Sequence, residues 1–277
     1  MTTVGPSFRR VAEGADKDLI VKPILSSKLR EAQWPALKIE LPGQSNAGQK
    51  KRIDGWFHPS THPTMPARQL YYYLAEPENW KTEPFSPESR ISVTMGTLMH
   101  EFVEHLLIES NVLVRPEGTC VGCKKEHGKK KGQCSEHGVM DEVLMARGHM
   151  DGIISPALKN AGFEFKTSNA NAMRSIQDLD AEAYKAKWPH YYAQNQEYMR
   201  MSGLPSFVVL FMGIGYPWDM REIHVDFDPE FAAGIESKYR EVRRSVEIGS
   251  IPEECCMPRS KMAQNCPATS CFVKQLS

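Results

Sequence analysis

The sequence of 277 residues has no net charge, no long apolar run and no cysteine before position 120. Its 34 lysines and arginines equal its 34 aspartates and glutamates, so attraction to a nucleic acid would have to come from a local basic patch or from metal ions. The longest apolar run, residues 207–215, is far short of the roughly 20 residues that cross a bilayer. The first 18 residues lack the apolar stretch of a signal peptide. We therefore expect a cytoplasmic protein with no membrane partner.

Internal repeats and low-complexity tracts are also absent. The composition, with 41% hydrophobic and 25% charged residues, is that of an ordinary globular protein and excludes intrinsic disorder, collagen and coiled coil. The seven cysteines fall into two clusters, one between positions 120 and 134 and the other between 255 and 271. In a reducing cytoplasm such clusters indicate metal ligation rather than disulfides, because the thiols stay free to act as ligands.

The chain divides into three parts. Residues 1–57 are interrupted by proline and are interpreted as an irregular N-terminal extension, residues 58–254 form the core with an insertion at 116–140, and residues 255–277 form a cysteine-rich C-terminal tail. Hydrophobic periodicity in the core predicts helices near 67–74, 94–109, 180–201 and 229–249, and strands at 148–155, 162–168, 207–213 and 221–227. Pro189 is expected to start or kink the third of these helices. This order predicts an α/β fold with a mixed central β-sheet flanked by helices.

Four polar side chains in the core are candidates for chemistry. His100 lies on the second predicted helix, Asp151 on the first strand of an antiparallel pair, and Glu164 with Lys166 on the second strand. Because side chains alternate along a strand, Glu164 and Lys166 share one face and Phe165 lies on the other. Two neighbouring carboxylates favour a hard cation such as Mg²⁺ or Mn²⁺, and a lysine beside it helps a water attack a phosphodiester. The plainer alternative is a solvated ion pair on the strand and an ordinary helix histidine.

A further motif places an amide and a phenol on one face of the third helix, because Gln194 and Tyr198 are spaced i, i+4. Together the motifs follow a fixed order in the chain: Gly96-x-x-x-His100, Gly148-x-x-Asp151, Glu164-x-Lys166 and Gln194-x-x-x-Tyr198. In this order they resemble the motifs of the PD-(D/E)XK nuclease superfamily, and more narrowly its RecB nuclease-domain branch, which includes phage exonucleases and CRISPR-adaptation nucleases. The resemblance covers residues 58–277.

The resemblance implies a restriction-endonuclease-like core with a catalytic divalent metal. His100, Asp151 and Glu164 would bind Mg²⁺ or Mn²⁺, Lys166 would support the attacking water, and Gln194 and Tyr198 would lie near the DNA backbone. We therefore expect a metal-dependent DNA nuclease, and within that class an exonuclease of recombination, repair or phage replication. It would act on DNA, with a helicase or recombination protein as a further partner, and in the host cytoplasm if a phage encodes it. The alternatives are a structure-specific endonuclease and a non-catalytic, zinc-containing nucleic-acid-binding protein.

The first cysteine cluster predicts a structural zinc site in the insertion. A Cys-x-x-Cys pair is followed by a Cys-x-x-His pair, which is a spacing typical of tetrahedral zinc, and the expected ligands are Cys120, Cys123, Cys134 and His137. His127 competes for the fourth position. The plainer interpretation is a loop of unrelated thiols and imidazoles. The predicted fold therefore carries a cysteine-rich zinc insertion.

The second cluster consists of Cys255, Cys256, Cys266 and Cys271. It resembles the three-cysteine tail that helps to hold a [4Fe–4S] cluster in part of the RecB-like branch. The sequence departs from that pattern, since the further cysteine expected before the first helix is missing and the tail spacing differs. An iron–sulfur cluster, a zinc site and unligated thiols all remain open interpretations.

Overall fold

The computed structural model describes residues 19–31, 53–81, 86–115, 137–176, 180–214 and 219–276. Its helices are α1 (Val21–Lys28), α2 (Ala67–Ala75), α3 (Pro87–Glu109), α4 (Ala170–Arg174), α5 (Ala181–Lys187), α6 (Pro189–Ser202), α7 (Pro229–Ile248), α8 (Lys261–Gln264) and α9 (Phe272–Gln275). Its strands are β1 (His137–Asp141), β2 (Ala146–Met150), β3 (Gly152–Ile154), β4 (Ala161–Asn169), β5 (Ser206–Ile214) and β6 (Met220–Asp226).

The central sheet has the order β3-β4-β5-β6, while β1 and β2 form a separate antiparallel pair. Strand β4 pairs antiparallel with β3 and parallel with β5, and β5 pairs antiparallel with β6. A parallel pair needs a crossover connection, and here α4, α5 and α6 provide it between β4 and β5. The predicted mixed α/β sheet and the predicted antiparallel strand pair are confirmed.

The sheet is the middle layer of three. Val208, Leu210 and Met212 of β5 pack with α1 and α3 on one side, whereas the intervening Phe207, Val209 and Phe211 pack with α5 and α6 on the other. This alternation explains why residues 207–213 form one apolar run, since both faces of β5 are covered. Helix α7 lies against α6 and α2 and forms a further apolar cluster with β2.

Two predicted elements differ in detail from the observed ones. The predicted strand 148–155 is broken at Asp151 into β2 and β3, which belong to different sheets. The break occurs where the Asp151 carboxylate accepts a hydrogen bond from the backbone N–H of Phe165 in β4. The predicted helix 180–201 is two helices, because Pro189 begins α6 as expected, and Gly203 ends that helix with a φ of 72°.

The interpretation of residues 1–57 as irregular is wrong for residues 21–28, which form α1. Val21 and Leu25 of this helix are fully buried in the core beside α3. The helix has no side-chain cap of its own, and its first N–H groups instead bond to the carboxylate of Glu222, about 200 residues away. A cap from so distant a residue leaves no local signal in the sequence.

The C-terminal tail packs on α2. Its buried residues Cys266, Cys271 and Val273 share an apolar cluster with the three consecutive tyrosines that begin at Tyr71. The backbone of Lys81 also bonds to the tail at Pro267. Across the helices that the structure describes, none combines the length and the apolar character needed to span a bilayer.

Candidate active site

The structure brings together the four residues that the sequence singled out for chemistry. Glu164 and Lys166 lie on the face of β4 that is turned toward α6, and Asp151 lies at the break between β2 and β3. His100 extends from α3 and places its Nε2 atom 3.1 Å from Oδ1 of Asp151. Its ring also contacts Phe165 edge-on, at 5.6 Å between centroids. Residues from three different parts of the chain therefore converge at the middle of β4.

Each carboxylate in this site is held by one of its two oxygens. Oδ2 of Asp151 accepts the backbone N–H of Phe165 at 2.7 Å. Oε1 of Glu164 accepts hydrogen bonds from Nζ of Lys166 and, at 3.0 Å, from Nε2 of Gln194. The protein thus fixes the orientation of both acids. Their second oxygens differ, since Oδ1 of Asp151 lies beside Nε2 of His100 while Oε2 of Glu164 faces the site.

Among the residues that the structure describes, Oε2 of Glu164 is buried and has no hydrogen-bond partner. Nε2 of His100 is buried as well, and it forms an ion pair with Oδ1 of Asp151 at 3.1 Å. Leaving a buried polar atom unsatisfied is unfavourable, so native proteins rarely do it without a specific reason. The free oxygen of Glu164 therefore points to a polar or charged ligand at this place.

The charges of the site strongly perturb its titration. Burial opposes a charged His100, but the carboxylates of Asp151, Glu164 and Glu104 outweigh it and raise the pKa of His100 to about 9. Burial, followed by the charge of Asp151, raises the pKa of Glu164 above its usual range, against the opposing effect of Lys166. Burial opposes the charge of Lys166 as well, yet Glu164 and Asp151 raise its pKa. Perturbed acids and bases in one place are typical of functional sites.

Gln194 and Tyr198 are part of this arrangement, but both are buried. Gln194 donates to Glu164, and the hydroxyl of Tyr198 donates to the backbone carbonyl of His149 at 2.6 Å. The ring of Tyr198 stacks on Phe207 with an interplanar angle of 13°. The spacing correctly placed both residues on the helix beside the site, while their observed contacts are with the site's framework rather than with an open surface.

Sequence reasoning missed two neighbours of the site. Glu104 lies one helical turn after His100, is buried, and adds to the negative charge that His100 experiences. The i, i+4 spacing of His100 and Glu104 could have predicted this neighbour, because residues at that spacing share a helix face. Tyr191 lies with its ring centroid 4.6 Å from Nζ of Lys166. Tyr191 precedes Gln194 by three residues, so the spacing in the sequence could have predicted that both lie on the same face of α6.

The predicted cysteine sites lie only partly within the described residues. Cys120, Cys123 and Cys134 lie outside the described residues, and His137 begins β1 with its side chain likewise outside them. The four tail thiols are free cysteines, of which Cys266 and Cys271 are buried and the adjacent pair is half-buried. Sγ of Cys255 lies 4.0 Å from Sγ of Cys256.

In the part of the chain that the structure describes, no group of three or more His, Cys, Asp or Glu side chains is arranged to hold a metal ion. The donor types at the site nevertheless suit a hard divalent cation, since the carboxylates of Glu164 and Asp151 and the imidazole of His100 lie near one another and Oε2 of Glu164 is free. To bind Mg²⁺ or Mn²⁺ together, these three side chains would have to move closer to one another than they are in this structure.

No protein-family model and no curated protein matches the sequence. Among solved structures, the chain is similar to an alkaline exonuclease (LHK-Exo) from Laribacter hongkongensis, with 15% identity and a TM-score of 0.46 over 71% of this chain and 90% of that one. The same exonuclease in complex with dAMP gives 14% identity and a TM-score of 0.45 over 72% and 91%. The protein SSO0001 gives 15% identity and a TM-score of 0.39 over 92% of this chain and 95% of that one. These similarities are too distant to define a family or an activity for this chain.

Proposed function

We propose that this protein is a divalent-metal-dependent nuclease that hydrolyses phosphodiester bonds of DNA. The observation that carries the proposal is the group formed by the buried acids Asp151 and Glu164 with the half-buried Lys166 and His100, in which each carboxylate is oriented through one oxygen. The motif order of the sequence supports a restriction-endonuclease-like core of the RecB type and favours an exonuclease. Recombination, repair or phage replication, with a helicase or recombination protein as partner, belongs to the same proposal.

In this proposal His100, Asp151 and Glu164 hold Mg²⁺ or Mn²⁺, which when bound supplies Lewis acidity toward a phosphate and lowers the pKa of water. The chain's own contribution is orientation. Gln194 and Lys166 together fix Oε1 of Glu164, so that Oε2 stays directed into the site. A preset orientation of this kind lowers the entropic part of a reaction barrier, because the groups do not have to be ordered during the reaction.

Lys166 has a second role in the proposal. Its ammonium group is surrounded by Glu164, the charge of Asp151 and the ring of Tyr191, and the raised pKa keeps it protonated at neutral pH. A permanent positive charge beside two carboxylates offsets part of their negative charge, so that an incoming phosphate is repelled less strongly. The same ammonium group can donate to the attacking water or to a phosphate oxygen.

Substitution of Lys166 and Glu164 tests the activity. We expect Lys166→Ala and Glu164→Gln to reduce hydrolysis of linear DNA in Mg²⁺ or Mn²⁺ by at least about 10³-fold, because each removes a group that acts on the reacting atoms. Lys261→Ala on α8 and Glu236→Gln on α7 are matched controls away from the site, and we expect wild-type rates from them. Thermal unfolding of every variant checks that loss of activity is not loss of fold.

The substrate separates the proposed exonuclease from its alternatives. An exonuclease cuts linear DNA and leaves covalently closed circles intact, whereas cutting of closed circles or of flaps and junctions would indicate a structure-specific endonuclease. If wild-type protein binds DNA but cuts no substrate with either ion, the proposal fails and the protein is a nucleic-acid-binding protein.

The cysteine clusters remain separate proposals. Zinc in the insertion and either zinc or a [4Fe–4S] cluster in the tail would stabilise local folds rather than take part in hydrolysis. Elemental analysis of anaerobically purified protein tests both, with zinc near one equivalent expected from the insertion. Absence of zinc would contradict the first assignment, and absence of both metals would contradict the second.

A further inference from the structure

A group of aromatic side chains stands beside Lys166 at the start of α6. It consists of Trp188, which caps the helix, and of His190 and Tyr191 in the first turn. His190 is exposed, whereas Trp188 and Tyr191 are half-buried, so part of the group faces solvent. We call these three residues the aromatic platform.

The platform is fixed in place by the core below it. The ring of Trp188 stacks on Phe211, at 5.0 Å between centroids and an angle of 25°. Phe211 lies on β5 directly opposite Lys166 in the parallel pairing, so the platform is tied to the same strand position as the site. The rings of His190 and Tyr191 contact each other, with centroids 4.0 Å apart. Side chains that are ordered before binding lose little entropy when a ligand arrives.

Positive charges adjoin the same rings. Nζ of Lys166 lies 4.6 Å from the centroid of Tyr191, and Nζ of Lys187 lies 4.9 Å from that of Trp188. Burial and the nearby Lys166 lower the pKa of His190, so that this ring is neutral at neutral pH. Neutral rings bordered by ammonium groups are the combination that binds single-stranded nucleic acids, in which bases stack on aromatic faces while cations contact phosphates.

The position of the platform distinguishes it from ordinary aromatic packing. The buried aromatics of the same two helices, Tyr184 and Tyr192, point into the core. His190 has no such role, because it is exposed at the first turn of the helix and borders the ring that covers Lys166. A phosphate placed at Lys166 would bring the base of its own nucleotide within reach of the His190 and Tyr191 rings.

We infer that the aromatic platform is a nucleobase-binding subsite, in which His190 and Tyr191 stack on the base of an unpaired nucleotide next to the linkage that is cut. Trp188 supports these rings from the core side. The inference rests on the proposed nuclease function insofar as it places the base next to the linkage that is hydrolysed, while the stacking itself needs no metal. It assigns single-stranded ends as the substrate class, since a base in a duplex is not free to stack on the protein.

The first test measures binding without catalysis. A dye-labelled single-stranded DNA oligonucleotide is compared, in buffer without added Mg²⁺ or Mn²⁺, with oligonucleotides in which one nucleotide at a time lacks its base. We expect one position at which the missing base weakens binding by about tenfold or more, which is the usual strength of base stacking on an aromatic ring. Equal binding of all oligonucleotides to wild-type protein would overturn the inference.

Variants of the platform assign the effect to its rings. Tyr191→Leu and His190→Ala should abolish the difference between base-containing and abasic oligonucleotides, whereas Tyr191→Phe, which keeps the ring, should retain it. Phe272→Leu is a matched control, because Phe272 is an exposed aromatic on α9. If Tyr191→Leu weakens the binding of both oligonucleotides equally, or only lowers the melting temperature, the ring has a structural role and the inference is wrong.

Cleavage in Mn²⁺ separates this inference from the proposed function. We expect the abasic substitution and Tyr191→Leu to raise KM with a smaller change in kcat, because the subsite holds substrate without touching the reacting phosphate. A wild-type enzyme that cuts both oligonucleotides equally well would overturn the subsite and leave the nuclease intact. Base-dependent binding without any cleavage would instead support the subsite and contradict the nuclease.

Discussion

Glu164 on β4 and Glu222 on β6 are two carboxylates of the same sheet with nearly equal burial, at 4% and 3% exposure. Each lies beside an imidazole, His100 in the first case and His224 in the second. They face opposite helical layers, since Glu164 contacts Gln194 of α6 while Glu222 bonds to the first turn of α1. By residue type and burial alone, the two cannot be told apart.

Their hydrogen bonds separate them. Both oxygens of Glu222 are satisfied, one by the N–H groups of Val21 and Lys22 and the other by Ile20 and His224. Glu164 uses only one oxygen, and the other is buried without a partner among the residues that the structure describes. A completed set of bonds is typical of a structural acid, whereas the free oxygen of Glu164, next to Lys166 and Asp151, is where a ligand could bind.

The pKa values follow from the same difference. Burial alone would raise the pKa of Glu222, but the bonds from His224 and from the N–H groups of α1 stabilise the charged form and hold its pKa below the usual range. At Glu164 burial and the charge of Asp151 prevail over the neighbouring Lys166, and the pKa is raised. Burial therefore does not decide the state of an acid, whereas the number and charge of its partners do.

Glu222 and Glu164 should differ most clearly in what their replacement does to stability. We expect Glu222→Ala to lower the free energy of unfolding by about 3 kcal/mol, because it leaves three N–H groups of α1 and His224 without their acceptor. Glu164→Gln should leave the free energy of unfolding unchanged or higher, since it removes a buried charge that lacks a full set of partners. Urea unfolding followed by circular dichroism measures both.

Glu236→Ala is the matched control for this pair. It removes one member of a partly exposed ion pair with Arg240 on α7, so we expect an effect of at most about 1 kcal/mol. An equal loss of stability from Glu164→Gln and Glu222→Ala would show that both acids are structural. The distinction between the two sites would then be lost.

The pH dependence of stability tests the role of Glu222 as a structural acid. Since the folded pKa of Glu222 is lowered, its contribution to stability is fully present above the unfolded value of about 4.3 and disappears as the pH falls through the lower folded value. We therefore expect the difference in unfolding free energy between wild type and Glu222→Gln to be constant near neutral pH and to shrink below about pH 4. His224 and the N–H groups of α1 are the groups that face this carboxylate.

Urea unfolding at a series of pH values provides the measurement. Unfolding curves of Glu236→Gln are recorded in parallel, so that the general effect of acid on stability can be subtracted. A difference between wild type and Glu222→Gln that grows as the pH falls would mean that the carboxylate is unfavourable in the fold, and the assigned role of Glu222 as the cap of α1 would be wrong.

The sequence predicted those features that depend on patterns of neighbouring residues in the chain. The buried strand at 207–213 follows from a continuous apolar run, and the shared face of Glu164 and Lys166 follows from alternation along a strand. The start of α6 at Pro189 follows from the missing N–H of proline. These signals are local, so they survive without knowledge of the tertiary structure. The mixed sheet followed from the order of the elements.

Features that depend on distant partners were not predictable. Helix α1 is capped by Glu222, and the strand break at Asp151 is associated with a bond to Phe165, so each depends on a contact that exists only after the sheet has formed. The choice of which Glu164 oxygen is held is of the same kind, because it depends on where α6 places Gln194. Sequence can identify the acids, whereas the satisfied and unsatisfied oxygens appear only in the fold.

Tyr198 provides the test with the smallest expected effect, which is whether its hydroxyl bonds within the protein or contacts DNA. Its hydroxyl donates to the carbonyl of His149, two residues before Asp151, while its ring packs on Phe207. We expect Tyr198→Phe to keep the packing, to lower the free energy of unfolding by about 1 kcal/mol and to change DNA affinity by less than about twofold. Tyr192→Phe, which removes a hydroxyl bond on the same helix, is the control. A large loss of DNA affinity, with stability unchanged, would show instead that the hydroxyl turns outward to the DNA backbone, as the motif resemblance implies.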